Sequence, residues 1–393
     1  MKKELLDVFF KKMQDSVKVV YWDGEKRSYN DNSKIVIRFL KEPPLTSLED
    51  PLLTLGDLYI EEYFDIDGTI EDLMDLIEKN RDLFRPQKKN VFMTTLETTL
   101  GVVKSKNKDL QNIQSHYDLG NDFFSLWLDP SMCYSCAYFK TTADSLAQAQ
   151  KNKISHSLKK LNLQKGESLL DIGCGWGELL FEAATKYDVH ATGITLSQEQ
   201  FDHIKEKIKL RDLGSKVEVR LESYEELSPK KDLFDKIVSI GMFEHVGRKR
   251  MPEFMKKASS ILKSSGIFML HTITGLEEGG HHSWMEKHIF PGGYVPTVRE
   301  IVNIIPEYDF KIVNIESLRR HYARTLEYWS KNFDAHRDEI EKKFGRTFLR
   351  MWDIYLKGCA ASFKLGFVDV HQFILSLGIN NEYPETFEFL YKD

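Results

Sequence analysis

The sequence predicts an α/β chain: a doubly wound parallel sheet in its larger, later part, preceded by a small α+β unit. Three observations predict it. Leu169–Gly177 reads Leu-Leu-Asp-Ile-Gly-Cys-Gly-Trp-Gly, a short apolar run that breaks into three alternate glycines ahead of helix-compatible sequence from Glu178 to Tyr187. After it, short apolar runs alternate with helical spacing, the βαβ rhythm of a sheet whose ligands sit at the carboxyl ends of its strands. Before it, residues 85–114 turn basic and polar, with Pro86-Gln87-Lys88-Lys89-Asn90 and Lys104-Ser105-Lys106-Asn107-Lys108 bracketing a moderately apolar stretch. They read as the connection between a domain over 1–84 and one over 115–393.

Composition bounds the function classes. A chain of 393 residues exceeds one ordinary domain, and 41% hydrophobic content is enough for a real core. The net charge of −5 argues against nucleic acid as a partner, since no basic excess exists to neutralise phosphates. The first ten residues carry charges inside every candidate apolar core, so no secretory signal is expected there. No apolar run approaches the roughly 20 residues of a membrane span. Cys133, Cys136, Cys174 and Cys359 are expected as reduced thiols of a cytosolic protein. Cys133-x-x-Cys136 lacks the second ligand pair of a zinc site, so no metal is expected.

In the first unit, Val17–Trp22 and Lys34–Leu40 read as strands, Asp23-Gly24 as the turn between extended segments, and Asp65–Gly68 as a turn after Ile60–Phe64. Glu71–Lys79 has helical spacing through Leu73, Leu76 and Ile77. Ser115–Phe139 is rich in aromatics and reads either as a lid over a pocket or as a loop packed on the core. A helix from Leu146 then leads into the glycine strand. Val189–Ile194, Val217–Leu221, Lys236–Ile240 and Ile267–Thr272 are the next strands, and Phe310–Ile315 a later one. Ser197 with Gln200 fits a capping box opening a helix that runs to about Gly214, and Pro252–Lys263 is a helix stopped near Gly266.

The ends of those strands define the site. They present Asp171, Gly173, Gly175 and Gly177; then Gly193, Thr195, Leu196 and Gln200; then Tyr224 and Glu225; then Gly241, Phe243, Glu244 and His245; then His271, Thr272 and Ile273. Glycines without a Cβ let a ligand approach the main chain. The G-x-G-x-G spacing and the Gly193-Ile194-Thr195 strand end depart from a dinucleotide fingerprint, which wants G-x-G-x-x-G and a closing acidic residue. Tyr224 and Glu225 read equally as packing and as ligand contacts. His271 closes a buried strand, either as a core histidine satisfied by the backbone or as a site residue. Tyr322 alone would be a packing aromatic.

Together these stretches resemble the cyclopropane-fatty-acid synthase family, with its mycolic-acid cyclopropane synthase relatives. The matching runs are His116-Tyr117-Asp118-Leu119, Tyr134–Phe139, Leu170–Gly177, Gly193–Ser197, Met242–Gly247, Leu270–Ile273, Phe290–Tyr294 and Tyr322–Leu326, in order from about Gln114 to Phe373. The resemblance implies a Rossmann-like class I methyltransferase domain behind a small α+β N-terminal domain. It implies S-adenosylmethionine as methyl donor and a methylene bridge added across a cis double bond of a phospholipid acyl chain. It places the donor on Tyr134, Ser135, Asp171, Gly173, Gly175, Gly177, Thr195, Leu196, Gln200, Tyr224 and Glu225. It implies a bicarbonate as proton acceptor, held by groups at Cys136, Glu244, His271, Ile273 and Tyr322: Cys136 and Ile273 through backbone amides, His271 and Tyr322 as donors. Glu244 would brace His271 or the bicarbonate hydroxyl. Cys359 matches a family thiol once regarded as a nucleophile and reads better as a small buried hydrophobe. The resemblance further implies a cytoplasmic protein at the inner membrane face, and a homodimer. Competing readings are a methyltransferase on the same fold that stops at a methyl group or modifies an amine, and a lipid carrier with a vestigial donor site.

Overall fold

A computed structural model describes residues 2–30, 33–84, 119–279 and 283–391. The connection expected over 85–114 and the His116-Tyr117-Asp118 run lie outside the described residues.

The first unit opens with helix α1 (Lys2–Lys11) and strands β1 (Val17–Val20), β2 (Lys26–Tyr29) and β3 (Val36–Phe39). Helix α2 (Pro51–Ile60), strand β4 (Phe64–Asp67) and helices α3 (Ile70–Lys79) and α4 (Arg81–Phe84) complete it. The sheet order is β2-β1-β3-β4, with β1 and β3 parallel. Asp23-Gly24 makes the expected turn, Gly24 lying at φ +87°. The turn expected at Asp65–Gly68 is corrected: Asp65–Asp67 complete β4, with Ile66 opposite Ile37, and the chain turns only at Gly68. The acids that suggested a loop are the outer face of an edge strand, where Asp67 meets Arg38 at 2.7 Å. Phe10, Val19, Tyr21, Ile37, Phe39 and Phe64 fill a core of this unit's own.

The larger part begins its description at α5 (Asn121–Ser125) and α6 (Leu146–Leu161). There follow β5 (Ser168–Ile172), α7 (Glu178–Lys186), β6 (His190–Thr195), α8 (Gln198–Leu210), β7 (Val217–Leu221), β8 (Phe234–Ile240), α9 (Met251–Ile261) and β9 (Leu262–Gly275). Then come α10 (Ser283–His288), α11 (Val298–Ile304), β10 (Phe310–Ser317), α12 (Arg319–Ala335), α13 (Arg337–Phe344), α14 (Arg346–Leu365) and β11 (Val368–Leu377). The sheet order is β10-β11-β9-β8-β5-β6-β7, parallel from β9 to β7. Strand β11 is antiparallel to both neighbours and absent from the sequence reading. The capping box is corrected to a plain cap: Ser197 Oγ accepts from Gln200 N–H, but the Gln200 carboxamide turns to the Thr195 hydroxyl (2.7 Å) instead of back to Ser197.

Alternation along β5 sends Leu169 to one face and Leu170 to the other. Leu169 packs with Leu158, Leu180 and Phe181 of α6 and α7, and Leu170 with Phe254 and Ala258 of α9. A third core lies between the aromatic loop and α12–α14, where Phe123, Phe124, Trp127, Trp329 and Trp352 are all buried. In its described part, from Leu119, the aromatic stretch is packed on this core and also borders the strand-end cavity through 131–135, so its two readings are not exclusive.

The first unit is fastened to α10 and α14. The Arg350 guanidinium donates to the carbonyls of Tyr59 (2.9 Å) and Phe64 (3.0 Å) and to Asp65 (2.8 Å), and lies 4.0 Å over the Tyr59 ring. Trp284 lies so close to Gly56 that a Cβ there would meet the indole at 2.3 Å. Asp57 accepts from Lys287 and His288, both at 2.6 Å. Truncating Arg350 removes three charge-assisted hydrogen bonds at once, to the Tyr59 and Phe64 carbonyls and to Asp65, so Arg350→Ala is expected to destabilise the chain by about 2–3 kcal/mol. A lowered denaturation midpoint, with faster amide exchange across α2 and β4 than in β5, is the expected result; an unchanged midpoint contradicts it.

Candidate active site

At the end of β5 the chain makes three left-handed steps: Gly173, Gly175 and Gly177 have φ of +82°, +54° and +84°. Only glycine takes that conformation without strain. At Gly173 a Cβ would also meet the Met242 side chain at 2.9 Å. The amides of Gly173 and Cys174 both donate to the Ile194 carbonyl (3.0 and 3.1 Å), which ties the loop to the end of β6. Trp176 turns inward, its indole N–H donating to Asn121 Oδ1 at 2.7 Å.

The loop borders a cavity of about 480 Å³ at the carboxyl ends of β5, β6, β7 and β8. Tyr134, Ser135, Asp171, Gly173, Gly175, Gly177, Thr195, Leu196, Gln200, Tyr224 and Glu225 all line it. Sequence reasoning missed Lys153 there. Its side chain is buried on α6, and its ammonium donates to Ser135 Oγ at 2.9 Å. The only signal was a lysine on a helix face read through its apolar neighbours. Burial pushes the Asp171 carboxyl up to about 7, with the Lys153 charge drawing it back. The cavity thus carries an acid and a base that form no ion pair with each other among the described residues, one from the sheet and one from the helix above it. Gln150, a turn before Lys153, donates to the carbonyls of Cys133 (3.3 Å) and Ser135 (3.0 Å) and pins the aromatic loop over the cavity.

Glu244 and His245 part company, as adjacent residues on a short helical turn should. His245 lines the cavity, and burial pushes its imidazole down to about 4. Glu244 turns to β9, where Oε1 accepts the Ile273 amide at 2.6 Å. Its Oε2 is buried with no hydrogen-bond partner among the described residues. Burial pushes this carboxyl upward, the Ile273 amide and then the Thr272 hydroxyl drawing it back. One expectation is corrected here: the Ile273 N–H is engaged by Glu244 instead of being open to an anion. Of the two alternative roles expected for Glu244, no bond to His271 is formed among the described residues, and His271 Nδ1 meets the Gln372 amide nitrogen at 3.1 Å. Gln372 reaches His271 across the β9–β11 register, a pairing no local pattern announces.

Tyr322, on α12, packs its ring on Phe363 (4.5 Å) and Trp329 (6.0 Å). Burial raises its phenol well above the ordinary range, and Tyr134, Cys136, Glu244 and Cys359 raise it further, which gathers these five side chains into one region. Burial also holds Cys136 and Cys359 as thiols, pushing Cys359 up to about 12. Cys359 makes no hydrogen bond among the described residues and has no base to activate it. The wall continues through Tyr134, whose ring contacts Trp127 (5.2 Å) and Trp329 (5.4 Å) and whose hydroxyl bonds that of Tyr355 (2.6 Å). Tyr355, on α14, is another residue the sequence reading passed over. The arrangement is a cavity at the strand ends that borders, through Tyr134, a buried aromatic cluster, with the half-satisfied Glu244 carboxylate beside His245.

Comparison with known proteins agrees with this geometry. Residues 104–373 match the family model described as mycolic acid cyclopropane synthetase, and residues 5–89 match one described as a domain of unknown function. A probable fatty acid methyltransferase of Pseudomonas putida is 34% identical over 368 residues, 90% of either chain. The structure of the cyclopropane synthase MmaA2 from Mycobacterium tuberculosis superposes with a TM-score of 0.65 at 38% identity, over 68% of this chain and 98% of that one. Mycolic acid cyclopropane synthase CmaA1, complexed with SAH and CTAB, superposes with a TM-score of 0.64 at 37% identity, over 68% and 98%. With its mostly parallel seven-stranded sheet in the Rossmann-like form of class I S-adenosylmethionine methyltransferases, the chain belongs to the mycolic acid cyclopropane synthetase family.

Proposed function

We propose that this protein is a cyclopropane-fatty-acyl-phospholipid synthase. In this reading it transfers a methylene from S-adenosylmethionine to a cis double bond of an unsaturated phospholipid acyl chain, through methyl transfer, a carbocation and bicarbonate-assisted loss of a proton. The observation that carries the reading is the Glu244 carboxylate, with one oxygen satisfied by the Ile273 amide and the other buried without a partner among the described residues, next in the chain to His245 of the glycine-loop cavity. The SAH complex of the relative supports the cavity as the donor site. The relative from Pseudomonas putida, matched over nearly its whole length, supports an acyl chain as acceptor.

The roles follow from chemistry. Asp171 and Lys153 would suit the ammonium and carboxylate of the donor's amino-acid moiety, and Tyr134 joins that cavity to the aromatic cluster. An alkene is a weak nucleophile, so in-line positioning in a site without water lowers the barrier most. The faces of Tyr134, Trp329 and Tyr322 can stabilise the cation formed beside the new methyl group. A bicarbonate supplies a proton acceptor there. The residues present fit such a group: the open Glu244 oxygen would take its hydroxyl, and Tyr322 and His271 would donate to its charge. A fully charged anion without a hydroxyl would be repelled by Glu244. The Ile273 amide acts on the group only by orienting Glu244. Cys136 belongs to the site through its backbone, and Cys359 as packing.

We further propose a catalytic domain over 115–393 joined through 85–114 to an N-terminal domain over 1–84. The acceptor would be met at the inner membrane face by a cytoplasmic, peripherally bound protein. No helix among the described residues is long and apolar enough to cross a membrane. Pairing of two copies would raise avidity for that surface.

Incubation with labelled S-adenosylmethionine and vesicles of unsaturated phospholipid is expected to give acyl chains one methylene heavier and without the alkene. A methyl-branched product that keeps its alkene, or a methylated amine, overturns the reading. Glu244→Gln and His271→Ala are each expected to slow ring formation at least about tenfold; near-normal rates for both, with bicarbonate supplied, would remove these residues from the reaction. An acid raised to about 7 in the free protein is half protonated at neutral pH and loses that proton when a cation binds beside it. Calorimetry at pH 7 in buffers of different ionisation enthalpy is therefore expected to show proton release on donor binding. Asp171→Asn should bind more weakly and release fewer protons; equal release would contradict the contact.

A further inference from the structure

Behind the reacting groups runs a buried polar line to which the mechanism above assigns no role. Lys160 is buried on α6, and its ammonium donates to Glu316 of β10 and to Gln372 Oε1 of β11, the latter at 2.6 Å. Glu316 also bonds His156 Nε2 at 3.0 Å. Gln372 is fully buried and stands opposite His271 in the β9–β11 register, its Nε2 3.1 Å from His271 Nδ1 and 3.4 Å from the Ser157 hydroxyl.

Donor and acceptor counting orders this line. An ammonium has only donors, so the amide atom facing Lys160 is the carbonyl oxygen. That turns the NH₂ group toward His271. An NH₂ group also has only donors, so the ring nitrogen it meets carries the lone pair. We infer that Lys160, with Glu316 as its counter-charge, sets the Gln372 amide and through it holds His271 as a neutral imidazole with its proton on Nε2. The consequence for the reaction rests on the synthase reading above: Gln372, Lys160 and Glu316 are positioning residues, and His271 orients the proton acceptor by donating an N–H without itself taking the proton.

The line also resists a change of state. Protonating His271 would set Nδ1–H against the Gln372 NH₂ group. Flipping the amide to relieve that would set NH₂ against the Lys160 ammonium, and each arrangement leaves a buried donor facing a donor. The surrounding charges act the same way. Burial is the first cause holding the His271 imidazole down, to about 3; Lys153 and Lys160 of α6 add to it, Glu316 of β10 opposes it, and His371 of β11 adds to it. Glu244, after β8, is itself held toward its neutral form by burial.

The test is the tautomer, read directly. In the full-length protein labelled with ¹⁵N-histidine, long-range proton–nitrogen correlation is expected to show His271 with an unprotonated Nδ1 and a protonated Nε2 throughout the neutral pH range. Gln372→Glu replaces the donor by a carboxylate that accepts from both sides. It is expected to move a proton onto Nδ1, to bring His271 titration toward neutral pH, and to cut turnover at least about tenfold while the donor KM stays within about twofold. A protonated Nδ1 in the unmodified protein overturns the inference, and so does a Gln372→Glu protein with unchanged tautomer and turnover. If Gln372→Glu does not fold, the spectrum of the unmodified protein decides alone. Ring product together with the opposite tautomer would sink this inference and leave the synthase reading standing. No ring product together with the stated tautomer would sink the synthase reading and leave the tautomer assignment standing.

Discussion

Two lysines buried seven residues apart on one face of α6 constrain much of the larger part. A cation removed from water must find compensating groups in fixed positions, or the cost of burying it exceeds what local packing returns. Lys153 finds Ser135 on the aromatic loop, and Lys160 finds Glu316 and Gln372 on the two antiparallel strands. Those partners fix where α6 sits over the sheet, to within the reach of a hydrogen bond. The same helix then delivers Gln150 to the loop carbonyls, and Leu158 and Leu161 to the core beneath. A slide of one helical turn would break every one of these contacts together, so one helix ties the loop over the strand-end cavity to the antiparallel strands beside it.

The sequence revealed what is encoded locally. The glycines at 173, 175 and 177 announce their loop because left-handed backbone leaves a compositional mark, and the parallel strands announce themselves as apolar runs between helices. All eleven residues assigned to the donor indeed face one cavity. What stayed hidden depends on partners far along the chain. The Glu244–Ile273 bond needs the register of β8 on β9, and the Gln372–His271 contact needs β11, which runs opposite to the strands that set the rhythm. Lys153 was invisible because a lysine in the polar run Gln150-Lys151-Asn152-Lys153 reads as solvated. Asp65 and Asp67 misled for the converse reason, since alternating acids on an edge strand resemble a turn. Gln200 was assigned to its own helix cap, but the Thr195 hydroxyl was the nearer partner.

The first unit is joined to the rest by specific polar contacts. Arg350 reads two backbone carbonyls and a carboxylate at once, a planar fork that a lysine could not reproduce. Around it, Arg346 meets Glu62 and Lys364 meets Glu71, both from α14. One helix thus carries the fastening of the first unit on one side and, through Tyr355, Cys359 and Phe363, part of the buried aromatic cluster on another.

Helices α12, α13 and α14 form one unbroken stretch between the last two strands of the sheet. Their link to the strand-end cavity runs through Tyr134, whose ring meets Trp329 of α12 and whose hydroxyl bonds Tyr355 of α14. Under the proposed reaction, this stretch supplies much of the acceptor's surroundings, and the earlier strands supply the donor's. A change of acceptor could then be made by altering side chains in this one stretch, provided the two residues that meet Tyr134 are kept.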